Sequence, residues 1–304
     1  MKKKFTTILL AFIFINSYSQ ITITDTHLLN IGDVIYQSED YNTQINIGPV
    51  GQGQVWDFSQ LNSDDNWNMN VIDPNNSPYS SNYPNADVCI MDDGEFMYAT
   101  RSSNGIHILG SGDSILQSPL LVIPLPLTYG ASFTDGPHSI LDSMISGNLN
   151  MLLPIWFGTS IDTLALFLTN GQAHIPDTLN IRTDVVQNFL VDADGEIALP
   201  MGTFDCVRLS KEMIYSNVVS IYFTDTLTGM NSGWYPVPGF DSDAELVYAW
   251  FSNDPNANFS LLEVTVDSLG NQDGSIVFLD GNINSSFNLL SEDLNILESI
   301  RMYS

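Results

Sequence analysis

Basic residues are scarce in this chain. Eight lysines and arginines stand against 35 aspartates and glutamates, for a net charge of −27. Three of the eight, Lys2, Lys3 and Lys4, lie at the extreme N-terminus. Beyond residue 19 only Lys211, Arg101, Arg182, Arg208 and Arg301 remain, a balance of −30 with all 35 acids retained. Nucleic acid and anionic lipid are bound through clustered Lys and Arg, so this composition excludes nucleic acid as a partner. Cysteine is nearly absent as well. Cys89 and Cys206 form either one long-range disulfide or two separate buried thiols, and neither has the neighbours of a zinc site. The four histidines, His27, His107, His138 and His174, show no metal-ligand spacing. Long amphipathic helical patterns are missing, and no apolar run after the N-terminus is long enough for a transmembrane segment.

What is present begins with an address. The basic head is followed by the apolar run Ile8–Ile15 and the small residues Ser17 and Ser19. This pattern predicts a signal peptide over 1–19, cut before Gln20. The expected location is extracellular or at the outer cell surface. The acids then read as a soluble, self-repelling surface. A sharper reading is divalent cation binding, for which Asp241, Asp243 and Glu245 form the candidate cluster. Calcium is the one cofactor this composition suits. Asp192-Ala193-Asp194-Gly195 has the look of a calcium loop, but the later ligands are lacking and a plain turn is the expectation.

With 44% apolar residues the chain can bury a large core. Short apolar or alternating runs recur between Gly, Pro, Asn and Asp clusters, which predicts an all-β fold. An antiparallel sandwich or an open or half barrel is expected over 20–284, with a subdomain boundary near 119–130. Val88–Met91 and Phe96–Thr100 flank Asp92-Asp93-Gly94-Glu95 as a hairpin. Leu164–Thr169 reads as a strand. Residues 189–210 read as a three-stranded meander that turns at 192–195 and at 200–202. Asp73–Pro84 and Pro119–Pro126 are proline-rich, so both are expected as connectors rather than strands, the second packed as an edge or strap. Residues 285–304 are expected to be a linker or the start of a sorting tail outside the core.

Several stretches carry resemblances. The segment LLSEDLNILESIRMY (289–303) resembles the approach to a type IX secretion sorting domain of exported Bacteroidota proteins, although the Pro-Asn-Pro that follows in that family is absent. VWDFSQL (55–61), PLPLTYGASF (124–133) and the segment 192–209 resemble stretches of exported proteins from the same group. These resemblances imply export through that machinery and an all-β body, with no catalytic residues to carry over. Six Asp-Ser/Thr-apolar triplets, starting at Asp113, Asp142, Asp162, Asp177, Asp225 and Asp267, resemble the O-glycosylation signal of those bacteria, or equally strand starts after turns. Gly112-Asp113-Ser114-Ile115 resembles the nucleophile block of GDSL esterases, and Asp135-Gly136-Pro137-His138 has the spacing of their acid and base. That family keeps its blocks far apart on an α/β fold, so the pattern here departs from it.

The residues therefore point to an exported, acidic, non-catalytic β protein with a surface binding or structural role. A glycan or another surface partner is expected at Trp234 and Tyr235, which offer apolar ring faces with polar tips beside Pro236 and Gly239. The alternative is an exported hydrolase acting on a glycan or ester.

Overall fold

The computed structural model describes residues 21–240 and 242–281. The expected signal peptide, the 285–304 tail and Asp241 lie outside them.

Seven strands come first: β1 (Val34–Asp40), β2 (Gly51–Asp57), β3 (Asp65–Ile72), β4 (Val88–Asp92), β5 (Glu95–Ser102), β6 (Gly105–Ser111) and β7 (Ser114–Pro124). β8 (Ser132–Ser146) leads into two helices, α1 (Leu149–Phe157) and α2 (Ile161–Thr169). β9 (Ile175–Leu199), β10 (Gly202–Thr224), β11 (Gly233–Val237), β12 (Asp243–Phe251), β13 (Leu262–Val266) and β14 (Gln272–Leu279) complete the chain. All fourteen belong to one sheet, with twelve ordered β2-β9-β10-β12-β13-β14-β1-β3-β4-β5-β6-β7 and β8 and β11 off this path on β9 and β10; it is not closed into a barrel. The all-β expectation holds. Every pairing is antiparallel except that of β2 with β9.

The main core explains the curvature of this sheet. It joins Ile106, Ile108, Leu121 and Ile123 from one end of the strand order to Val191, Val207 and Trp250 from the other. The sheet therefore folds over so that its two ends share one apolar interior. The 92–95 hairpin forms as the sequence predicts, with Asp93 and Gly94 at positive φ. Asp73–Pro84 is a connector of two 3-10 turns. A first correction concerns the proline-rich run, which is no connector up to Pro124: it forms the second half of β7, the strand at the end of the sheet order, paired with β6.

Two further expectations are corrected. Leu164–Thr169 is helical, as part of α2, because Ser160 caps the helix by accepting from Thr163 N–H at 3.2 Å and Asp162 sits in its first turn. Asp192–Gly195 is not a turn. β9 runs straight through it for 25 residues, and only the turn at 200–201 survives. The acids are held in place by partners distant in sequence. Asp194 accepts from Gly53 N–H at 3.0 Å and from Gln52 Nε2 at 3.2 Å. Gly195 lets β2 lie alongside, since a Cβ there would collide with the Gln54 backbone.

β9 and β10 form a spine of about 80 Å at 3.3 Å per residue. Its proximal half is flanked by β2 and β12, within the body. Its distal half is flanked by β8 and β11 and makes an arm. The root of the arm is fixed by Arg208, which is 1% exposed. Its guanidinium donates to both Asp192 oxygens, at 2.8 and 3.0 Å, and lies 4.9 to 5.8 Å from the ring centres of Tyr248, Trp56 and Trp250. It also donates to the carbonyls of Ile47, Gly48 and Pro49.

The other end of that captured loop is pinned by Asp40. Burial raises the pKa of this carboxyl, but donors from Asn62, Thr43 and Asn42 outweigh it and hold the value at about 2. A depressed pKa stabilises the fold above the ordinary carboxylate range, and that stability is lost as pH falls from about 4 towards 2. Urea unfolding of Asp40→Asn should show a loss of about 1–2 kcal/mol at neutral pH and a flatter decline across that acid window than the parent. Replacing Arg208 by Ala leaves Asp192 buried without its cation. A loss of about 3–5 kcal/mol is expected in chemical denaturation, not recovered by Arg208→Lys, whose ammonium cannot make the bidentate contact.

Candidate functional site

The distal end of the arm carries a second, separate apolar cluster. Leu149 and Leu153 of α1 and Leu164 and Ala165 of α2 pack over Leu179 of β9 and Ile221 and Phe223 of β10. α1 ends at Gly158 in the left-handed region, and α2 ends at Asn170 in the same conformation, with its N–H on the Ala165 carbonyl. Thr169, buried, donates to the carbonyls of Ala165 and Ala173 at 2.6 and 2.9 Å and closes the chain back towards β9. Leu227, Thr228 and Asn231 wrap the Asp225 carboxylate between β10 and β11. These donors, led by the Thr228 hydroxyl, hold its pKa well below the ordinary value.

Both helices are apolar beyond what this cluster covers. Met151, Ile155 and Trp156 of α1 and Leu166 and Phe167 of α2 are 42–71% exposed. More than half of the exposed large apolar side chains among the described residues lie between 144 and 175 or between 218 and 240. Residues 143–181 and 213–240 contain only three acids, Asp162, Asp177 and Asp225, and no lysine or arginine. A helix that is apolar all round belongs in an interior or against a partner, and a large uncovered apolar patch marks an interaction site. Among the described residues no single helix is long and apolar enough to cross a membrane; α1 and α2 together reach that length but bend by 80°.

The expected binding pair sits beside this tip. Trp234 is 45% exposed and packs edge-on against Tyr222 at 5.5 Å. Tyr235 faces the opposite way, onto Phe223 at 6.2 Å, and donates its hydroxyl to the Asn231 carbonyl at 2.6 Å. Alternation along β11 thus leaves Trp234 available and commits Tyr235 to the fold.

Of the proposed cation cluster, Asp243 and Glu245 lie in β12 opposite Tyr215 and Met213. Burial, with the charges of Glu245 and Asp243 added, pushes Tyr215 up to about 12. Lys211 is pulled down by desolvation, against which Glu263 and Glu245 act. Among the described residues no three His, Cys, Asp or Glu side chains are gathered to hold a metal ion. Cys89 and Cys206 are both buried and free, the first beside Tyr83 and Tyr98 and the second in the main core.

Ser114 is exposed at the start of β7, and its carbonyl accepts from Tyr83. The serine that meets His138 is Ser118, with Oγ 2.9 Å from Nδ1. His138 Nε2 lies 2.9 Å from Asp135 Oδ2. That approach falls outside hydrogen-bond geometry, and the buried Nε2 makes no hydrogen bond. The same Asp135 oxygen accepts from Leu121 N–H at 3.2 Å. Ser118 and Leu121 both belong to β7, and Asp135 and His138 to β8. The cluster therefore buckles the last strand of the sheet to the strand beside β9.

A cleft of about 420 Å³ lies elsewhere, between the 43–49 loop and residues 54–61, and includes none of these three residues. Asp57 is the one titratable group lining it; hydrogen bonds from Ser59 lower its pKa. Paired carboxylates or an acid with a base, the requirement of glycan and ester hydrolysis, do not meet there. Comparison with family models, with curated proteins and with solved structures finds no match.

Ser118 reads as a structural hydroxyl. Incubation with a fluorophosphonate probe should leave it unlabelled, as judged by peptide mass spectrometry. A labelled Ser118, with an ester-cleaving activity that Ser118→Ala abolishes, would establish the hydrolase instead.

Proposed function

We propose that this chain is an exported, non-catalytic binding protein that meets its partner with the apolar tip of the β8–β11 arm. The observation that carries the reading is the distribution of side chains. Large apolar groups are left uncovered at the end of a long braced spine, and the many acids of the chain are kept off that end. Leaving such residues in water is unfavourable by about 25 cal/mol per Å², so a surface of this kind serves contact. The N-terminal signal and the resemblance of 289–303 to a type IX sorting approach support an extracellular or outer-surface address. The strongly acidic body suits that address because it resists non-specific association. Trp234, at the base of the tip, belongs to the same contact surface.

The hydrolase alternative rests on Ser118, His138 and Asp135. Of these groups only Ser118 and His138 are hydrogen-bonded to each other, and the buried His138 Nε2 lacks the hydrogen bond to Asp135 that would orient a catalytic base.

The tip reading is tested on intact cells of the organism that makes the protein. Labelled protein lacking residues 1–19 should sediment with the cells. The double variant Ile155→Asp/Phe167→Asp should remain in the supernatant. A control, Val55→Asp/Leu269→Asp, adds the same charge at exposed apolar positions of the body and should behave as the parent. Equal sedimentation of the tip variant and the parent would overturn the proposal.

A further inference from the structure

Resting on the tip reading, we infer that the partner is a zwitterionic lipid surface, entered by the tip to the level of its interfacial layer. The first reason is that the apolar groups are not confined to one face. α1 and α2 cover the side of the arm that bears Ile145, Leu179 and Ile221. Strand alternation places Met144, Val218 and Trp234 on the other side, and all three are exposed. Leu227 and Met230, 89% and 87% exposed, project from the loop between β10 and β11 at the arm's end. A two-fold contact with a second copy uses one self-complementary patch. A fluid apolar phase surrounds a tip on every side.

The second reason is charge. On the uncovered side of the sheet, the first charged rung back from the end is Asp142 with Arg182, joined by Asp184, 2.9 Å from Arg182. From Ile175 to that rung the strand rises about 20 Å, so the apolar end enters the interfacial layer, about 5–10 Å deep, without bringing that rung into it. Trp234 and Tyr222 lie between the end and the rung, a placement that suits aromatic rings at a headgroup level. The tip has no lysine or arginine to pair with lipid phosphate. Its exposed acids, Asp162 and Asp177, complement the ammonium groups of choline or ethanolamine headgroups. Net anionic lipid would instead be repelled by a body of this charge. Because the two helices bend by 80° and neither spans, the tip is a wedge in the interface rather than a crossing.

The test uses the chain lacking residues 1–19 and vesicles of phosphatidylcholine with phosphatidylethanolamine. The parent should co-sediment with them and remain bound at high salt. Vesicles of phosphatidylglycerol should bind it more weakly, most clearly at low salt. Ile155→Asp/Phe167→Asp should lower the bound fraction at least roughly tenfold while keeping the parent's circular dichroism and melting temperature. Val55→Asp/Leu269→Asp should not lower it.

The lipid inference is overturned if the parent stays in solution with zwitterionic vesicles, or if the tip variant sediments equally. Cell binding that depends on the tip, without vesicle binding, would keep the tip as the contact and assign it to a non-lipid partner. A parent that is dimeric without lipid, made monomeric by the tip substitutions and indifferent to vesicles, would assign it to a second copy. Loss of both cell and vesicle binding would remove the tip reading itself.

Discussion

The pairing of Arg208 with Asp192 is the interaction on which the rest of the structure depends. It lies where the β9–β10 ladder slips by one residue, between Arg208 and Leu209, at the junction of body and arm. A bulge at that point changes the twist of both strands and re-aims everything distal to it. A buried ion pair contributes little net stability compared with apolar residues of the same volume, but it penalises every register that separates its partners. The guanidinium also joins three parts of the sequence. Asp192 comes from β9, the accepting carbonyls from the 47–49 loop, and the surrounding rings from β2 and β12. With the loop tied at its start by Asp40, the body presents the spine at one angle.

Charge is organised on a larger scale by the same economy of cations. With so few basic groups, acids must be stabilised by other means. Asp40 and Asp225 are surrounded by amide and hydroxyl donors, and Asp194 by Gly53 and Gln52. Such rings of neutral donors hold a carboxylate as effectively as a counter-ion. Asp267 is held in the same way, by Leu269 and Asn271. The arm's end is left almost uncharged, the condition under which an apolar contact works without a desolvation penalty.

Much of the fold was legible, and the failures have common causes. Turn residues and alternation revealed the hairpin at 92–95, because it depends on neighbours in sequence; the strand β7 was hidden by its prolines. The turn expected at 192–195 failed because Asp-x-Asp-Gly has local turn chemistry that distant partners override. Neither Arg208 nor Gln54 can be assigned to those acids and that glycine without the fold. α2 was misread because an apolar run of six lacks a decisive period, although Ser160 and Asp162 carried a start signal. Trp234 was legible as an exposed aromatic; its neighbour Tyr235 is committed to packing. Ser114 was the plausible partner of His138 by motif, yet the strand geometry brings Ser118 there, four residues on.

The two apolar clusters have different jobs, and the difference bears on function. The main core ties together strands from both ends of the chain, so it opens only with global unfolding. The tip cluster draws on residues 145–181 and 219–237, contributed largely by adjacent elements. Its contacts are mostly local, and α2 is capped at both ends by neighbouring residues, Ser160 and Asn170. The tip can therefore repack, exchanging water for an apolar partner, while the spine and the Arg208 anchor stay as they are. A catalytic site needs the opposite arrangement, polar groups fixed around a substrate-sized recess. In this chain the buried anchor sits at the root of the arm and the uncovered apolar groups at its end, the arrangement on which the binding proposal rests.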